Sequence, residues 1–293
     1  MRRTARATAS LAATSAANQL AEATAARAGV RIVDLHDLSE LTPAIELFDL
    51  IWAGAGVSYM PIGVLRALEH ADNHVSGAFD GDRMVGALVG FMGFHREQLA
   101  LHSHMLAVLP KMQGRSIGSE LKLNQRSWAI RRGVEVVTWT FDPLISRNAY
   151  LNVTGLGVEA AEYHVNFYGE MTDSINAGDE SDRLLAVWRV SGPRAEMALS
   201  GRRVDEASVL RREGLVTALA MGSNQEPAQQ EYGTEATLLC RIPTDIESMR
   251  RLAPDRARAW RLAVRDVLGE ALAGGYAIEA FLRRGCYVVS RRE

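Results

Sequence analysis

Lysine is nearly missing from this 293-residue chain: among 33 lysines and arginines, only Lys111 and Lys122 are lysines. We read the imbalance as coding bias, not as phosphate recognition. Cysteine is as scarce. Cys240 and Cys286 cannot build a disulfide framework, so a reducing cytoplasm is the default location. No apolar run reaches the roughly 20 residues that cross a bilayer, which excludes a helical membrane partner from the reading. An excess of charge is also lacking: the formal net charge is −2, so no basic field invites nucleic acid. What is present is ordinary globular composition, 47% hydrophobic and 23% charged. The length suits one large domain or two ordinary ones.

Residues 1–29 are rich in Ala, Thr and Arg, with Glu22 as the only acid. Met1-Arg2-Arg3 hints at targeting, but polar residues interrupt Ala7 to Ala26, so no secretory apolar stretch forms. The segment reads as a mobile or partly helical tail, because Ala favours helix while little apolar face is left to dock. Val30–Val33 is a short strand candidate. Thr42-Pro43 reads as the start of a helix that Gly54, Gly56 and Ser58 break, and Pro61 starts another. Strand candidates His74–Phe79 and Arg83–Phe94 flank the hairpin signal Asp80-Gly81-Asp82. Leu99–Leu109 follows as a strand, then a helix from Ile117 to about Arg132. That helix carries two apolar stripes, Ile117/Leu121/Trp128 and Leu123/Ile130, so it is expected to lie between a sheet and a second body. The C-terminal unit or a partner chain is the expected cover. Val134–Phe141 is a buried strand, with a short helix near Asn148 and strands Glu162–Tyr168 and Arg183–Val190 behind it.

After Val190 the pattern loosens. Leu215–Met221 and Ala236–Ile242 are strand candidates on either side of a polar loop, Gly222–Glu235. Pro254–Leu272 has the clearest helical spacing, and Tyr276–Phe281 with Cys286–Ser290 closes the chain as a hairpin. The two cysteines fall in separate strands and read as core.

The most informative local feature is strand, then Pro110-Lys111-Met112-Gln113-Gly114-Arg115-Ser116-Ile117-Gly118-Ser119, then helix. Such a turn leaves backbone N–H groups unpaired at a helix start, where the positive end of the peptide dipoles favours a phosphate. Gly114 permits close approach and Arg115 can add charge. Neither of the better-known Gly-rich phosphate signatures occurs.

The order β-α-α-β-β-β-turn-α-β-α-β, with that turn after the fourth strand, resembles the GNAT acyl-CoA N-acyltransferases. The family's [RQ]-x-x-G-x-[GA] aligns with Gln113 to Gly118, with Ser116 in place of the first glycine. On the residues alone, that site survives if Ser116 keeps a negative φ. Further motifs look like one long bacterial subgroup, some of whose members resemble amino-acid N-acyl- and N-succinyltransferases. They are His102-Ser103-His104-Met105, Trp139 to Leu144, Asn148 to Asn152, Tyr168-Gly169-Glu170-Met171, Ser181-Asp182-Arg183, Ile242 to Asp245 and Trp260-Arg261. The resemblance implies an α/β (α+β) fold, a mixed, mostly antiparallel sheet flanked by helices. It places an acyl-CoA-binding domain at 30–190, behind the tail 1–29, and a smaller α+β unit at 191–293.

The same resemblance implies which residues act. Ala107, Val108 and Leu109 would lie beside pantetheine, and Gln113 to Ser119 would wrap the diphosphate of acetyl-CoA or succinyl-CoA. Asn148 and Asn152 are candidates for pantetheine or substrate amides. Acyl transfer to an amine needs a base to free the amine, a donor for the oxyanion and a proton for the thiolate. His104 is the first candidate base, with His102 on the same side of the strand. Asp142, at the end of the fifth strand, would orient a base or bind the ammonium. Val153 stands where many family members carry a proton-donating Tyr, which leaves Tyr150 as the nearest substitute. Arg183 could grip a substrate carboxylate. His102 and His104 lack a third ligand, so no metal is expected. The expected partners are coenzyme A and a small-molecule amine, with a homodimer left open. A catalytically silent acyl-CoA-binding protein, or an acyltransferase for a protein or antibiotic amine, remains as an alternative.

Overall fold

A computed structural model describes residues 2–53, 58–169, 179–202, 204–233 and 237–291, with side chains from residue 14 onward. Gly54, Gly56, Glu170, Met171 and Ala236 therefore lie outside the described residues. The chain divides into two compact units, Met1–Thr138 and Trp139–Glu293.

The first unit runs α1 (Arg2–Ala28), β1 (Arg31–Asp34), α2 (Leu38–Trp52), α3 (Ile62–His70), β2 (Val75–Asp80), β3 (Arg83–His95), β4 (Gln98–Val108) and α4 (Ile117–Arg131). It ends inside β5 (Val136–Phe141). Strands β1 to β4 pair in chain order as an antiparallel meander, and β5 lies parallel to β4. Alternation, shifted by one residue at a bulge where Val85 is unpaired, splits the strand side chains between two cores. Ala87, Val89, Met105 and Ala107 pack with Leu41, Phe48 and Leu65 from α2 and α3. Val85 and Leu88 pack with Ile117 and Leu121 of α4.

Two local expectations change here. Helix α2 begins at Leu38, so Pro43 sits inside it and does not open it. The start is set by Asp37, whose Oδ1 accepts the Glu40 N–H at 3.0 Å, while Glu40 Oε2 accepts the His36 N–H at 2.7 Å. The first bond satisfies a first-turn donor, the second ties the entering chain to the helix, and together they outweigh the proline signal. The N-terminal segment is a helix, α1, and it packs along α4 beside Ile117, Leu121, Ser127 and Arg131. Ala17, Ala21 and Ala25, four residues apart, are buried. Asn18 Oδ1 accepts hydrogen bonds from Ser127 Oγ and from Arg131 Nη1, the latter at 2.9 Å. A stripe of small residues is itself a docking face, because it lets helix backbones approach closely.

The second unit takes up the end of β5 and continues with α5 (Ser146–Ala149), which opens into a π-helical turn over Tyr150–Gly155. Next come β6 (Glu159–His164), β7 (Arg183–Arg189), α6 (Pro193–Leu199), α7 (Glu206–Leu210), β8 (Leu215–Met221), β9 (Pro227–Gln229) and β10 (Thr237–Arg241). The chain closes with α8 (Ile246–Leu252), α9 (Pro254–Val264), a π turn at Arg265–Gly269, α10 (Glu270–Ala273), β11 (Tyr276–Leu282) and β12 (Cys286–Arg291). Strand β7 lies between β5 and β6, and a separate sheet has the order β11-β12-β10-β8-β9. The strand expected at Glu162–Tyr168 ends at His164, because Asn166 turns the chain at φ +46°. Cys240 and Cys286 are free and buried, on adjacent strands with Cys240 opposite Tyr287 and Cys286 opposite Arg241. That register points them to opposite faces of the sheet, so they cannot bridge. Among the described residues no helix is long and apolar enough to cross a membrane, and no cluster of three His, Cys, Asp or Glu could hold a metal ion.

Candidate active site

After β4, Pro110–Met112 forms one 3-10 turn and the chain swings into α4. Gln113, Gly114, Arg115 and Ser116 are exposed. Among the described residues, the N–H groups of Gly114 through Ser119 donate to no backbone carbonyl. A Cβ on Gly114 would meet nothing within 4 Å, so the rim of the turn is open. Open space bordered by unpaired N–H groups at the start of a 15-residue helix fits an anionic diphosphate. The condition set on Ser116 is not met. Its φ is +63° and ψ 5°, a left-handed geometry that glycine adopts without strain. The turn keeps the glycine-like path, and serine bears the cost. Arg115 is already engaged: Nη1 lies 3.3 Å from Asp80 Oδ2, and Nη2 donates to the Ala28 carbonyl at 3.3 Å.

Two features of β4 lead into that turn. Val89 pairs with Met105 but Gly90 pairs with Ser103, so His104 is the unpaired residue of a β-bulge. Bulges re-aim a side chain and recur beside active sites. The pairing of β4 with β5 covers only Ala100 to His102, so among the described residues of this unit the β5-side edge of β4 from Ser103 to Val108 has no strand hydrogen-bonded to it. The His102 and His104 rings are 6.1 Å apart, and Phe91 stands 5.2 Å and 5.7 Å from them. His102 Nδ1 lies 3.2 Å from Thr138 Oγ1. Burial, then the nearby His104 and Lys122, bring the His102 pKa down to about 4. His104 keeps solvent access, and what burial it has lowers its pKa from the ordinary value. Both rings are therefore neutral at neutral pH. Ala107 and Val108 turn their side chains into the two cores, which leaves their backbone for any ligand.

In the second unit Asp142 is not an available base. It is 4% exposed, and Arg261 grips it through Nη1 at 2.8 Å and Nη2 at 2.9 Å, with Arg250 Nη2 at 2.5 Å. Its Oδ1 also accepts the Leu144 N–H at 2.9 Å. Burial alone would raise this carboxyl, but the Arg261 and Arg250 guanidinium groups outweigh it and hold it below the usual carboxylate range. Arg250 and Arg261 both reach Asp179 as well, which closes a four-membered ring of buried charge. The expectation that Asp142 orients a base or binds an ammonium gives way to an anchor, because both oxygens are spent. Tyr150 Oη accepts from Arg283 Nε at 3.1 Å. With Thr154, Glu206 and Arg283 it borders a cavity of about 330 Å³. Asn152 and Val153 are buried, and Asn148 is half-buried. Arg183 donates to the Asp182 carbonyl at 2.9 Å and lies 5.3 Å from the Tyr168 ring centre.

Residues 44–152 match the Acetyltransferase (GNAT) family. The stretch so matched is that of an acetyltransferase, and the architecture is mixed α/β with helix-flanked sheets. The chain is similar to an aminoglycoside acetyltransferase from an uncultured soil metagenomic sample, solved in complex with sisomicin. There the identity is 24%, over 39% of this chain and 78% of that one, with a TM-score of 0.35. It is similar to the ribosomal-protein-S18-alanine N-acetyltransferase of Escherichia coli at 14% identity, over 56% and 95% of the two chains, with a TM-score of 0.44. It is also similar to a GNAT acetyltransferase from Elizabethkingia anophelis with acetyl-CoA bound, at 15% identity over 55% and 98%, with a TM-score of 0.43. No curated protein matches the chain.

Three participants in this chain escape sequence reading: Lys122, Arg250 and Arg261 as the partner of Asp142. Trp260-Arg261 was visible as a motif, but nothing in it announces an ion pair 119 residues away. Lys122 had one available signal, as one of only two lysines in a chain that otherwise uses arginine.

Proposed function

We propose that this chain is a GNAT enzyme that transfers an acyl group from acetyl-CoA or succinyl-CoA to the amino group of a small acceptor, an amino acid, by direct attack in a ternary complex. The observation that carries the reading is the open edge of β4, which runs from the bulge at His104 to the unpaired N–H groups of the anion turn. Bound there, acyl-CoA would supply an activated thioester carbonyl. The backbone of Ala107, Val108 and Leu109 would hold the pantetheine arm by strand-like hydrogen bonds. The N–H groups of Gly114 through Ser119 would take the diphosphate, whereas the Gln113 N–H is spent on the Pro110 carbonyl at 3.3 Å and leaves only its exposed side chain for the ligand. His104, neutral and solvent-accessible, accepts a proton from the acceptor ammonium directly or through one water. The freed amine then forms the C–N bond as the C–S bond breaks, and the departing sulfur ends as a thiol. His102 would hydrogen-bond the acceptor.

In the second unit, Asn148, Asn152 and Tyr150 remain candidates for contact with the acyl donor, with Tyr150 as thiolate proton source, and Arg183 for a substrate carboxylate. The functional stretch is taken as 30–190, with 1–29 in front and 191–293 behind, in a cytoplasmic protein whose homodimer state is open. The test is thiol release from acetyl-CoA and succinyl-CoA against an amino-acid panel, with the product weighed by mass spectrometry. Turnover with one pair supports the reading. Coenzyme A binding without thiol release from any pair points to a binding protein. Turnover confined to peptide or aminoglycoside amines would move the acceptor class.

A further inference from the structure

The side of β4 that faces α4 carries a buried polar chain. Lys122 Nζ donates to Ser103 Oγ at 2.7 Å and to Gln125 Oε1 at 3.2 Å. Gln125 Nε2 reaches His74 Nδ1 at 3.5 Å, and His74 Nε2 lies 3.1 Å from Asn124 Oδ1. Lys122 is 4% exposed and Gln125 and His74 are 0% exposed. A lysine so enclosed is costly, and burial pushes its pKa well below the ordinary value.

The position of this chain relates it to the bulge. Met105 and Ala107 face the core shared with α2 and α3. Simple alternation would put Ser103 there too. Ser103 instead meets Lys122 of α4, on the face of Leu106 and Val108, because the unpaired His104 switches the faces between residues 103 and 105. A one-residue slip that removed the bulge would carry Ser103 away and strand the Lys122 amine without that acceptor. Gly90, the residue opposite Ser103, makes room for the arrangement. A Cβ there would lie 3.0 Å from the His102 carbonyl oxygen and 3.1 Å from Gln125 Nε2.

We propose that Lys122 is a positioning residue for acyl transfer, locking through Ser103 the bulge that aims His104. This rests on the acyl-transfer reading for its consequence in catalysis, but the lock itself is a statement about the fold. The test uses the full chain with Lys122→Met, which keeps an unbranched side chain and removes the amine, and with Ser103→Ala. Either variant is expected to lower kcat by about 10- to 100-fold, with KM for acyl-CoA within about twofold. The double variant is expected to lose no more than either single one. In a His104→Ala background, Lys122→Met is expected to lower kcat no further, which a general structural defect would not reproduce. Amide hydrogen exchange at residues 103–105 is expected to quicken in both single variants. A folded Lys122→Met with wild-type kcat and unchanged exchange at 103–105 overturns the proposal. Should Lys122→Met not fold, Ser103→Ala decides it by the same two readouts. Should the wild type release no thiol with any pair, the acyl-transfer reading fails, and exchange at 103–105 alone upholds or overturns the lock.

Discussion

Ser116 pays a conformational cost that its neighbours do not. A non-glycine residue in the left-handed region costs on the order of 1–2 kcal/mol, and Ser116 makes no capping hydrogen bond that would offset it. Ser116→Gly is therefore expected to raise stability by about 1 kcal/mol in chemical denaturation, with coenzyme A binding retained. A loss of stability would show that the serine side chain has a role the geometry does not reveal. Arg261 is the opposite case. Its replacement by Met leaves Asp142 and Asp179 short of a buried partner and is expected to cost about 3–5 kcal/mol in urea denaturation. The Asp142 carboxyl is held below its unfolded value. Its contribution to stability is thus complete above the ordinary carboxylate range and is lost as pH falls through that range and below it. The sequence named Asp142 but could not assign it, because the partners that occupy it lie on α8 and α9, more than 100 residues downstream. His104 was legible as a candidate from its motif. The bulge that sets its direction was not, since a bulge is a property of two paired strands and shows in neither alone.

Most elements of the first unit follow from local signals. The hairpin at Asp80-Gly81-Asp82, the strand before Pro110 and the helix from Ile117 all appear where periodicity and turn chemistry put them. Errors fall where two signals compete, as with Pro43 against Asp37, or where an element docks without large side chains, as with α1. The latter yields a sharp test. Ala21 is buried in the first unit, so Ala21→Arg forces a long charged side chain into a space sized for a methyl group. The expected result is a loss of about 1–3 kcal/mol together with rapid proteolysis within α1. An unchanged digestion pattern would mean that α1 does not depend on its alanine stripe. In the second unit the long helix expected at Pro254–Leu272 is present but widened by a π turn at Arg265–Gly269. Hydrophobic spacing does not distinguish one inserted residue.

At the scale of the molecule, the scarcity of lysine and cysteine said little about chemistry, yet one of the two lysines lies at the centre of the first unit's polar interior. Acid sensitivity belongs to this scale too. Burial brings His74 to about 3 and His102 to about 4, both below the ordinary histidine value. The folded state therefore resists protonating two groups that the unfolded chain protonates readily. Stability is expected to be full above about pH 6.5 and to fall as pH drops toward 4 and then 3. Thermal unfolding of the wild type and of His74→Gln across that range measures the effect, and the variant is expected to show a shallower decline.

The most direct measurement is steady-state thiol release by the wild type and by His104→Ala, with acyl-CoA binding followed in parallel. Wild-type turnover with acetyl-CoA or succinyl-CoA and one amino acid is expected, with kcat reduced on the order of 10²- to 10⁴-fold in the variant while acyl-CoA still binds. Equal turnover by both proteins, or none by a wild type that binds acyl-CoA, would contradict it.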